Sequence, residues 1–579
     1  MLPKWTVIRT RANWRLLTGL LLFWLMGCQQ AALPQTAADP PAPTATAVLP
    51  APETPTPIST LPPTAQIDTP TAVPSPTIIP TPTPSPWRIG QQPGLPPEIG
   101  AALAELAASQ PAQFTLADDE GDVTVTLGGE TSLATWVYAI AAPFPTLDDG
   151  LSWDEVQEGW ENGRFHLTPD VADTLRGWWG DPGQPPIILP ADELVDALWS
   201  AQTGYDDLRP TILPFDQLEP RLKALRLEGI APIEPGFDPA GYPLALPIGL
   251  EGNPDAIAAL QTAWDGPLTN RDETLITTVA MTGPAGMRRA VADRMERYGI
   301  TYPSEETGPV LQAADFAHMS NENPFAPNCP MPDPNDSDNV CNRDEYVELM
   351  VWLGINIVEM TGNHLNDWGT WALNHTFDLY DSLGMQTFGG GRNLEHARQP
   401  LLIEHNGNRL AFVGCNPVGP AFGWATETQP GALPCEEDYA ALAAQIRQLA
   451  DEGYLVIATL QYLEDYQYHI LPQQHAAFRA LADAGATAVS GSHAHHPQGF
   501  AFRPNGSFIH YGLGNFLADQ MWMLGVRQTF VDTYLFYNGR LLHVDLWTGL
   551  IEDYARQRLM TPEERRDLLR AVFETSDWQ

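Results

Sequence analysis

The chain has 579 residues, and its 71 acidic side chains outnumber its 30 basic ones, which gives a formal net charge of −41. This charge excludes nucleic acid as a partner and argues against binding to anionic membrane surfaces, because both would be repelled. A polyanionic substrate would be repelled as well, unless cations lie between it and the protein. The length is too great for one compact core and indicates at least two domains.

Near the start of the sequence, a basic segment containing Lys4 and Arg15 precedes a short apolar run over residues 16–26. This pattern predicts a signal peptide over residues 1–28, because the run is too short to span a bilayer comfortably. The end of the run, Leu25-Met26-Gly27-Cys28, resembles the lipobox of bacterial lipoproteins. We therefore expect Cys28 to be lipidated and to anchor the protein on the extracytoplasmic face of the cell membrane. The alternative is an ordinary secretory signal with a chance cysteine.

Residues 29–86 consist largely of proline, threonine and alanine, with few large apolar side chains. Such a segment cannot bury a hydrophobic core, and its prolines favour extended polyproline conformations. The composition predicts a disordered, semi-rigid stalk that lifts the folded part away from the membrane.

Four cysteines downstream of Cys28 form two pairs that are close in the sequence. In an exported protein such pairs favour two local disulfides, whereas their spacing does not match the short Cys-x-x-Cys pattern of a zinc site. The pairs are Cys329 with Cys341 and Cys415 with Cys435.

Residues 87–267 alternate short strand-like runs with helical patterns and predict a smaller α/β domain. Strands are expected at 123–127 and 136–141, and the residues from Asp192 to Trp199 form an amphipathic helical pattern. The segments 147–156 and 212–215 give this part a resemblance to the phosphate-binding type of periplasmic domain. A docking domain and a working solute receptor are the two functions that remain open for it.

Residues 271–550 repeat strand, loop and helix more regularly, and residues 551–579 predict a C-terminal helical tail. This alternation predicts a largely buried sheet with helices on its faces and ligand-binding loops at the carboxyl ends of the strands. The expected strands are 275–281, 316–319, 356–360, 409–415, 454–460 and 486–490, and the expected helices are 343–353, 438–452 and 473–484.

Polar motifs follow three of these strands. Asn363 and His364 come after the strand at 356–360, and an amide oxygen and an imidazole there suit metal binding and proton transfer. His493 and His495 would point the same way in an extended chain and could face one metal ion. Glu322 follows the strand at 316–319 and could add a carboxylate ligand. A capped turn and a buried, hydrogen-bonded histidine pair are the structural alternatives.

Together with the Asn363-His364 loop, three further motifs resemble the poly-gamma-glutamate capsule-synthesis proteins, CapA or PgsA. The further motifs are Gly389-Gly390-Gly391-Arg392-Asn393, the His493-x-His495 loop and Tyr511-Gly512-Leu513-Gly514-Asn515-Phe516. The resemblance implies a calcineurin-like metallophosphatase fold, a layered α/β sandwich in which helices flank the sheets. It also implies divalent metal ions such as Mn or Zn bound by Glu322, Asn363, His493 and His495, with His364 as a general acid.

Two positions depart from the family's pattern of metal ligands. The family places a ligating Asp where this sequence has Pro284, and a ligating His where it has Gln461. Proline cannot bind a metal through its side chain, and glutamine is a poor substitute for imidazole. The resemblance therefore implies one bound ion or none. Glu359, Asp367 and Asp465 are the acidic residues close enough in sequence to replace a lost ligand.

Two functions from different classes follow. The first is a metal-dependent hydrolase or transferase that acts on an envelope polymer at the cell surface. The second is a catalytically impaired polymer-binding or scaffold lipoprotein that retains the fold and contacts capsule-synthesis membrane proteins. The substitutions at Pro284 and Gln461 favour the second.

Overall fold

The computed structural model describes residues 85–129 and 131–578, which fall within one compact unit, 82–579. The predicted signal peptide, Cys28 and all but the last two residues of the predicted stalk lie outside the described residues. Within the described ranges, every helix is too short or too polar to cross a bilayer.

The first part of the described chain alternates strands and helices. Its strands are β1 (Trp87–Gln91), β2 (Phe114–Leu116), β3 (Val123–Leu127), β4 (Thr131–Pro143), β5 (Gly150–Leu151), β6 (His166–Leu167), β7 (Ile187–Ile188), β8 (Thr211–Pro214), β9 (Leu222–Ala224), β10 (Arg226–Leu227) and β11 (Ala245–Gly252). Its helices are α1 (Pro97–Ser109), α2 (Trp153–Glu161), α3 (Pro169–Trp179), α4 (Ala191–Ala201) and α5 (Pro254–Ala263).

Nine of these strands form a mixed sheet in the order β2-β1-β3-β11-β4-β8-β6-β7, with β9 paired to β4, and β5 and β10 form a separate two-stranded sheet. The centre of the sheet is β4, and its last eight residues, Trp136–Pro143, are all buried. A strand covered on both faces has no solvent side, so its sequence shows no polar alternation. The predicted strand 123–127 is confirmed, and the predicted strand 136–141 lies within β4.

The second part of the chain contains two larger sheets and the helices that cover them. Its strands are β12 (Ile276–Thr282), β13 (Pro284–Ala285), β14 (Phe316–Asn321), β15 (Ile355–Glu359), β16 (Gln386–Phe388), β17 (Gly390–Gly391), β18 (Leu401–His405), β19 (Asn408–Cys415), β20 (Gly431–Ala432), β21 (Leu455–Gln461), β22 (Ala488–Ser492), β23 (Phe500–Phe502), β24 (Phe508–His510), β25 (Gln528–Tyr537), β26 (Arg540–Glu552) and β27 (Arg556–Leu559). Its helices are α6 (Arg289–Tyr298), α7 (Gly308–Ala313), α8 (Val347–Trp352), α9 (Thr370–Leu383), α10 (Leu394–Ala397), α11 (Ala440–Asp451), α12 (Pro472–Asp483) and α13 (Pro562–Glu574).

One sheet has the order β16-β15-β14-β12-β25-β26-β27, with β13 beside β14, and the other has the order β18-β19-β21-β22-β24-β23. The strands β16, β15, β14 and β12 are parallel, as are β19, β21, β22 and β24. One hydrophobic cluster joins the two sheets face to face. Its members include Val279, Met281, Ile357, Phe412, Ile457 and Phe508.

Helices cover the outer faces of both sheets. Helices α6 and α9 pack on the first sheet through residues such as Met295 and Phe377, and α11 and α12 pack on the second through Ile446 and Phe478. The result is a sandwich of helix, sheet, sheet and helix layers. The expected α/β class and layered arrangement are confirmed.

The predicted strands of this part all exist, with ends displaced by one or two residues. The predicted helix 438–452 begins later, at Ala440, because Tyr439 before it has a left-handed backbone with φ of 59°. The sequence reading missed the long antiparallel pair β25 and β26. The segment predicted as a helical tail contains β27, which extends the first sheet, and α13, whose Leu568 and Phe573 pack in the core between the sheets.

Both predicted disulfides are formed, Cys329–Cys341 and Cys415–Cys435, with sequence separations of 12 and 20 residues. The second begins at the last residue of β19, and the next residue, Asn416, donates a hydrogen bond of 2.8 Å to the carbonyl oxygen of Thr361. The disulfide-closed segment is thereby tied to the loop that holds Asn363.

The N-terminal sheet packs against β26 of the first C-terminal sheet. The backbone N–H of Ala224 on β9 donates to Nε2 of His543 on β26 at 2.9 Å, and His543 is 1% exposed. Burial lowers the pKa of His543 to about 4, with Arg226 and Lys223 acting in the same direction and Asp545 opposing them. The ring is therefore neutral in the folded protein at neutral pH.

We expect His543 to make the folded state less stable as the pH falls from about 6.5 to about 4. In that window the unfolded chain binds the proton first, so stability is lost at up to about 1.4 kcal/mol per pH unit. The variant His543→Gln keeps a side-chain acceptor but does not titrate. Urea unfolding from pH 6.5 to 4.5 should show a shallower decline for this variant than for the wild type. Parallel pH curves for the two proteins would contradict this role of His543.

Candidate metal centre

Glu322 directly follows β14, and its backbone N–H donates to the carbonyl oxygen of Ala285 at 3.0 Å. The side chain is buried, at 5% exposure, and its Oε1 has no hydrogen-bond partner among the described residues. A neighbouring loop reaches it through Gly362, where a Cβ atom would collide with the carbonyl oxygen of Asn321. The glycine therefore allows the Asn363 loop to lie directly beside Glu322.

His493 and His495 follow β22 in a tight turn. Their φ angles are 76° and 53°, in the left-handed region that non-glycine residues rarely adopt. The expected extended conformation is therefore wrong, because two left-handed residues rather than strand alternation bring the rings together. The two ring centroids are 5.3 Å apart. Strained backbone of this kind persists where the surrounding structure holds it, and it is found preferentially at functional sites.

Hydrogen bonds fix the orientation of both imidazoles. Nδ1 of His493 lies 2.6 Å from the carbonyl oxygen of Tyr462, and Nδ1 of His495 lies 2.6 Å from Oδ1 of Asn515. Both partners are acceptors, so each Nδ1 carries the proton and each Nε2 is left with a free lone pair. The assignment of Asn515 is supported by its Nδ2, which donates to the carbonyl oxygen of Val526 at 2.8 Å.

The structure brings Glu322, His493 and His495 together, with one ligand atom from each lying within 4.8 Å of the others. Among residues 85–129 and 131–578, these three side chains are the one group of three or more histidine, cysteine or acidic residues placed to hold a metal ion. Oε1 of Glu322 has no hydrogen bond and lies 3.7 Å from Nε2 of His495, and a carboxylate oxygen with two imidazole nitrogens is a suitable ligand set for Zn or Mn. The residues present therefore fit a divalent cation.

The charges of the cluster suit cation binding as well. Burial alone would raise the pKa of Glu322, but His495, His493, His364 and Arg288 together lower it to about 2. Burial lowers the pKa of His493, and the nearby His495 lowers it further. The carboxylate is thus ionised and His493 neutral at physiological pH, which are the forms that bind metals.

Asn363 has a different partner from the one expected. Its Oδ1 accepts a hydrogen bond of 3.2 Å from Nε2 of Gln461, and Oε1 of Gln461 accepts one of 2.7 Å from Ser492. Gln461 is completely buried at the end of β21, beside Ser492 in the neighbouring strand. The amide group therefore occupies the place of a ligand and donates to the oxygen that Asn363 would offer to a second ion.

Pro284 has a backbone role. It lies in β13, and its carbonyl oxygen accepts hydrogen bonds from the N–H groups of Phe516 and Leu517 at 3.0 and 3.2 Å. Its ring supplies no donor atom to the cluster.

The acidic residues considered as replacement ligands are engaged elsewhere. Glu359 is buried beneath the site, where it accepts from Thr361 and pairs with His318 at 3.4 Å. Asp465 accepts from Gln498 at 3.2 Å.

His364 lies on the more open side of the site. Its Nδ1 is 2.6 Å from Oδ2 of Asp367, and about a third of its side chain is exposed. The carboxylate orients the ring through Nδ1, and in its doubly protonated form the ring can give the proton on Nε2 to a bound molecule. Asp367 was expected as a possible metal ligand, but its carboxylate is paired with His364. The sequence does not predict this pairing, because only the turn after Asn363 brings the two side chains together.

Residues 278–520 match the family model described as "Bacterial capsule synthesis protein PGA_cap". This segment of the chain is therefore similar to that family. The segment spans the strands that end at Glu322, Asn363, Gln461 and the two histidines. The capsule-synthesis segment therefore contains every candidate ligand described above.

Two curated relatives each match a little under half of this chain. The capsule biosynthesis protein CapA of Bacillus anthracis is 28% identical over 281 residues, which are 47% of this chain and 67% of that protein. The PGA biosynthesis protein CapA of Bacillus subtilis is 24% identical over 266 residues, which are 46% of this chain and 69% of that protein.

Among solved structures, the sulfate thiohydrolase SoxB of Thermus thermophilus is 14% identical, covers 49% of each chain and gives a TM-score of 0.28. The fold of the capsule-synthesis segment is defined by its own strand order and layers.

We expect Asn515→Ala to destabilise the protein by about 1 to 3 kcal/mol, because it leaves Nδ1 of His495 and the carbonyl oxygen of Val526 buried without partners. Urea unfolding would measure the change. Asn374→Ala on α9 is a matched control, because the Asn374 side chain makes no hydrogen bond to the described residues. Equal stability of the two variants would show that the Asn515 contacts do not support the histidine turn.

Proposed function

We propose that this chain takes part in cell-surface capsule synthesis of the poly-gamma-glutamate type and binds one divalent cation through Glu322, His493 and His495. The observation that supports the proposal is the convergence of one ligand atom each from Glu322, His493 and His495 within 4.8 Å of one another. Similarity to the capsule-synthesis family supplies the biological setting. In this proposal the site acts as a hydrolase or transferase on an envelope polymer.

A cation such as Mn or Zn would supply a Lewis acid that polarises an oxygen of the scissile group. The protein's own residues do the remaining work. Hydrogen bonds to Tyr462 and Asn515 hold the two imidazoles, and burial of Glu322 keeps competing water away from the carboxylate. His364, oriented by Asp367, starts as the doubly protonated ring, donates the proton on Nε2 to the leaving oxygen and is left neutral with its proton on Nδ1.

The cellular location belongs to the same proposal. A lipid on Cys28 would anchor the chain on the extracytoplasmic face of the cell membrane, and residues 29–86 would hold the folded part away from it. The two disulfides are compatible with this setting, because such bonds persist in oxidising compartments. An envelope polymer and the membrane proteins of capsule synthesis are the partners expected there.

The proposal predicts about one equivalent of transition metal in the purified full chain. Elemental analysis should find it in the wild type and lose it in His493→Ala and His495→Ala. Mn at about 100 times its Kd should raise the free energy of unfolding of the wild type by about 2.7 kcal/mol. The variant His469→Ala is a control, since His469 is exposed and lies outside the cluster. A metal-free wild type whose stability is insensitive to Mn and to Zn would sink the proposal.

A second candidate function is a polymer-binding scaffold that retains the fold without catalysis. It is supported by the Gln461–Asn363 hydrogen bond, which ties up an oxygen expected to bind a second ion, and by Pro284, which supplies no ligand. A two-metal site polarises both the attacking and the leaving oxygen, so a chain limited to one ion loses part of that chemistry.

If Gln461 excludes the second ion, Gln461→His should raise the metal load by about one equivalent, because it adds an imidazole and releases Oδ1 of Asn363. Elemental analysis after dialysis would measure the load. The control is Gln461→Leu, which breaks the hydrogen bond without adding a ligand and should gain no metal. The same load in both variants would show that Gln461 does not determine the number of ions.

A further inference from the structure

Arg288 is a cation that no acidic side chain neutralises. It is half-buried immediately before α6. Among residues 85–129 and 131–578 it is the one arginine that is not exposed and yet makes neither an ion pair nor a hydrogen bond through its side chain. This is unexpected in a chain with 71 acidic residues, because a partly buried guanidinium normally has an anionic partner.

The acids near Arg288 are already engaged. Burial and the neighbouring Arg289 lower the pKa of Arg288, whereas Glu322, Asp519 and Asp367 raise it. Asp519 pairs with Arg289 at 2.6 Å and Asp367 lies 2.6 Å from His364. Glu322 belongs to the proposed metal centre. The guanidinium therefore lies within electrostatic reach of three carboxylates but retains free donors.

Unsatisfied polar atoms also lie on both sides of Glu322 in the sequence. Both side-chain amide atoms of Asn321 and Oδ1 of Asn323 are buried without hydrogen-bond partners, and the two residues are 1% and 0% exposed. A Cβ atom at Gly286 would lie 2.5 Å from Oδ1 of Asn323 and 3.7 Å from Nε of Arg288. The glycine therefore lets the Asn323 side chain approach the backbone beside Arg288. Buried polar atoms without partners are rare in native structures and indicate a ligand or ordered water.

We propose that Arg288 forms an anion subsite beside Glu322, His493 and His495, and that this subsite binds a free carboxylate pendant from the backbone of an acidic peptide polymer. The subsite rests on the proposed function for the choice of a carboxylate polymer. A guanidinium presents paired donors that match the two oxygens of a carboxylate, which gives directional binding that a metal ion alone does not.

This subsite resolves the conflict between the protein's charge and its substrate. At a net charge of −41, a poly-acid is repelled at long range, although salt limits that repulsion to about 8 Å at physiological ionic strength. Binding then depends on fixed positive charge at short range. Where a single metal ion is bound, Arg288 provides a second, permanent cation next to it.

The test is calorimetric binding of tri-γ-glutamate to the metal-treated full chain, with inorganic phosphate and the fully amidated peptide as comparison probes. Arg288→Gln should weaken tri-γ-glutamate binding by about 10-fold or more and leave the metal load unchanged, because a charge-assisted hydrogen bond is lost. Arg288→Lys should restore part of the affinity. Arg447→Gln is the control for net charge, because Arg447 is exposed on α11 and has no side-chain partner among the described residues.

Equal affinity of the wild type and Arg288→Gln for tri-γ-glutamate would overturn the subsite, as would failure of the wild type to bind this probe. Phosphate binding that depends on Arg288, without tri-γ-glutamate binding, would overturn its assignment to carboxylate. If the metal-treated wild type takes up no metal but still binds tri-γ-glutamate through Arg288, the result contradicts the metal centre and supports the subsite. If Arg288→Gln does not fold, Arg288→Lys takes its place in the test. Equal affinity of Arg288→Lys and the wild type for tri-γ-glutamate contradicts the subsite, and a reduced affinity supports it.

Discussion

Two mostly parallel sheets pack face to face through one shared layer of apolar side chains, and this packing determines where the polar loops can lie. The carboxyl ends of β14 and β15 in one sheet and of β21 and β22 in the other meet at a common edge. Four segments that are far apart in the sequence therefore deliver their polar residues to one small volume. Without the close contact of the sheets, Glu322 and the two histidines would belong to separate surfaces.

In the candidate site, some of the potential metal ligands are held ready and another is engaged by a neighbouring side chain. The histidines are held by acceptors at Nδ1, and this leaves Nε2 free for binding. By contrast, Gln461 at the end of β21 donates a hydrogen bond to Asn363. The oxygen of Asn363 is therefore occupied and is not available as a further ligand. A glutamine at this buried position brings amide hydrogens where an imidazole would bring a lone pair, so Gln461 adds a hydrogen-bond donor to a site otherwise rich in acceptors.

Charge imposes a second constraint on this protein. Most arginines that are not exposed are neutralised by the abundant acids, for example Arg565 by Asp149 and Arg226 by Glu234 at the contact between the N-terminal sheet and the rest of the chain. Arg288 stands apart from this pattern at the edge where the loops converge. A chain this acidic can accept an acidic ligand only where positive charge is concentrated and desolvated, since interactions between charges are strongest there.

The sequence by itself determined the α/β class, most strands of the capsule-synthesis segment, both disulfides and the loops that contain Glu322, Asn363, His493 and His495. These features are local, because hydrophobic periodicity, glycine turns and short cysteine spacings act over a few residues. Only the tertiary structure decided that His493 and His495 converge through left-handed residues, that Asp367 orients His364, and that Gln461 donates to Asn363. It also decided that Arg288 keeps its donors free. Each of these depends on which atoms of distant strands lie within about 3 Å of one another, and packing, rather than the order of residues along the chain, sets those distances.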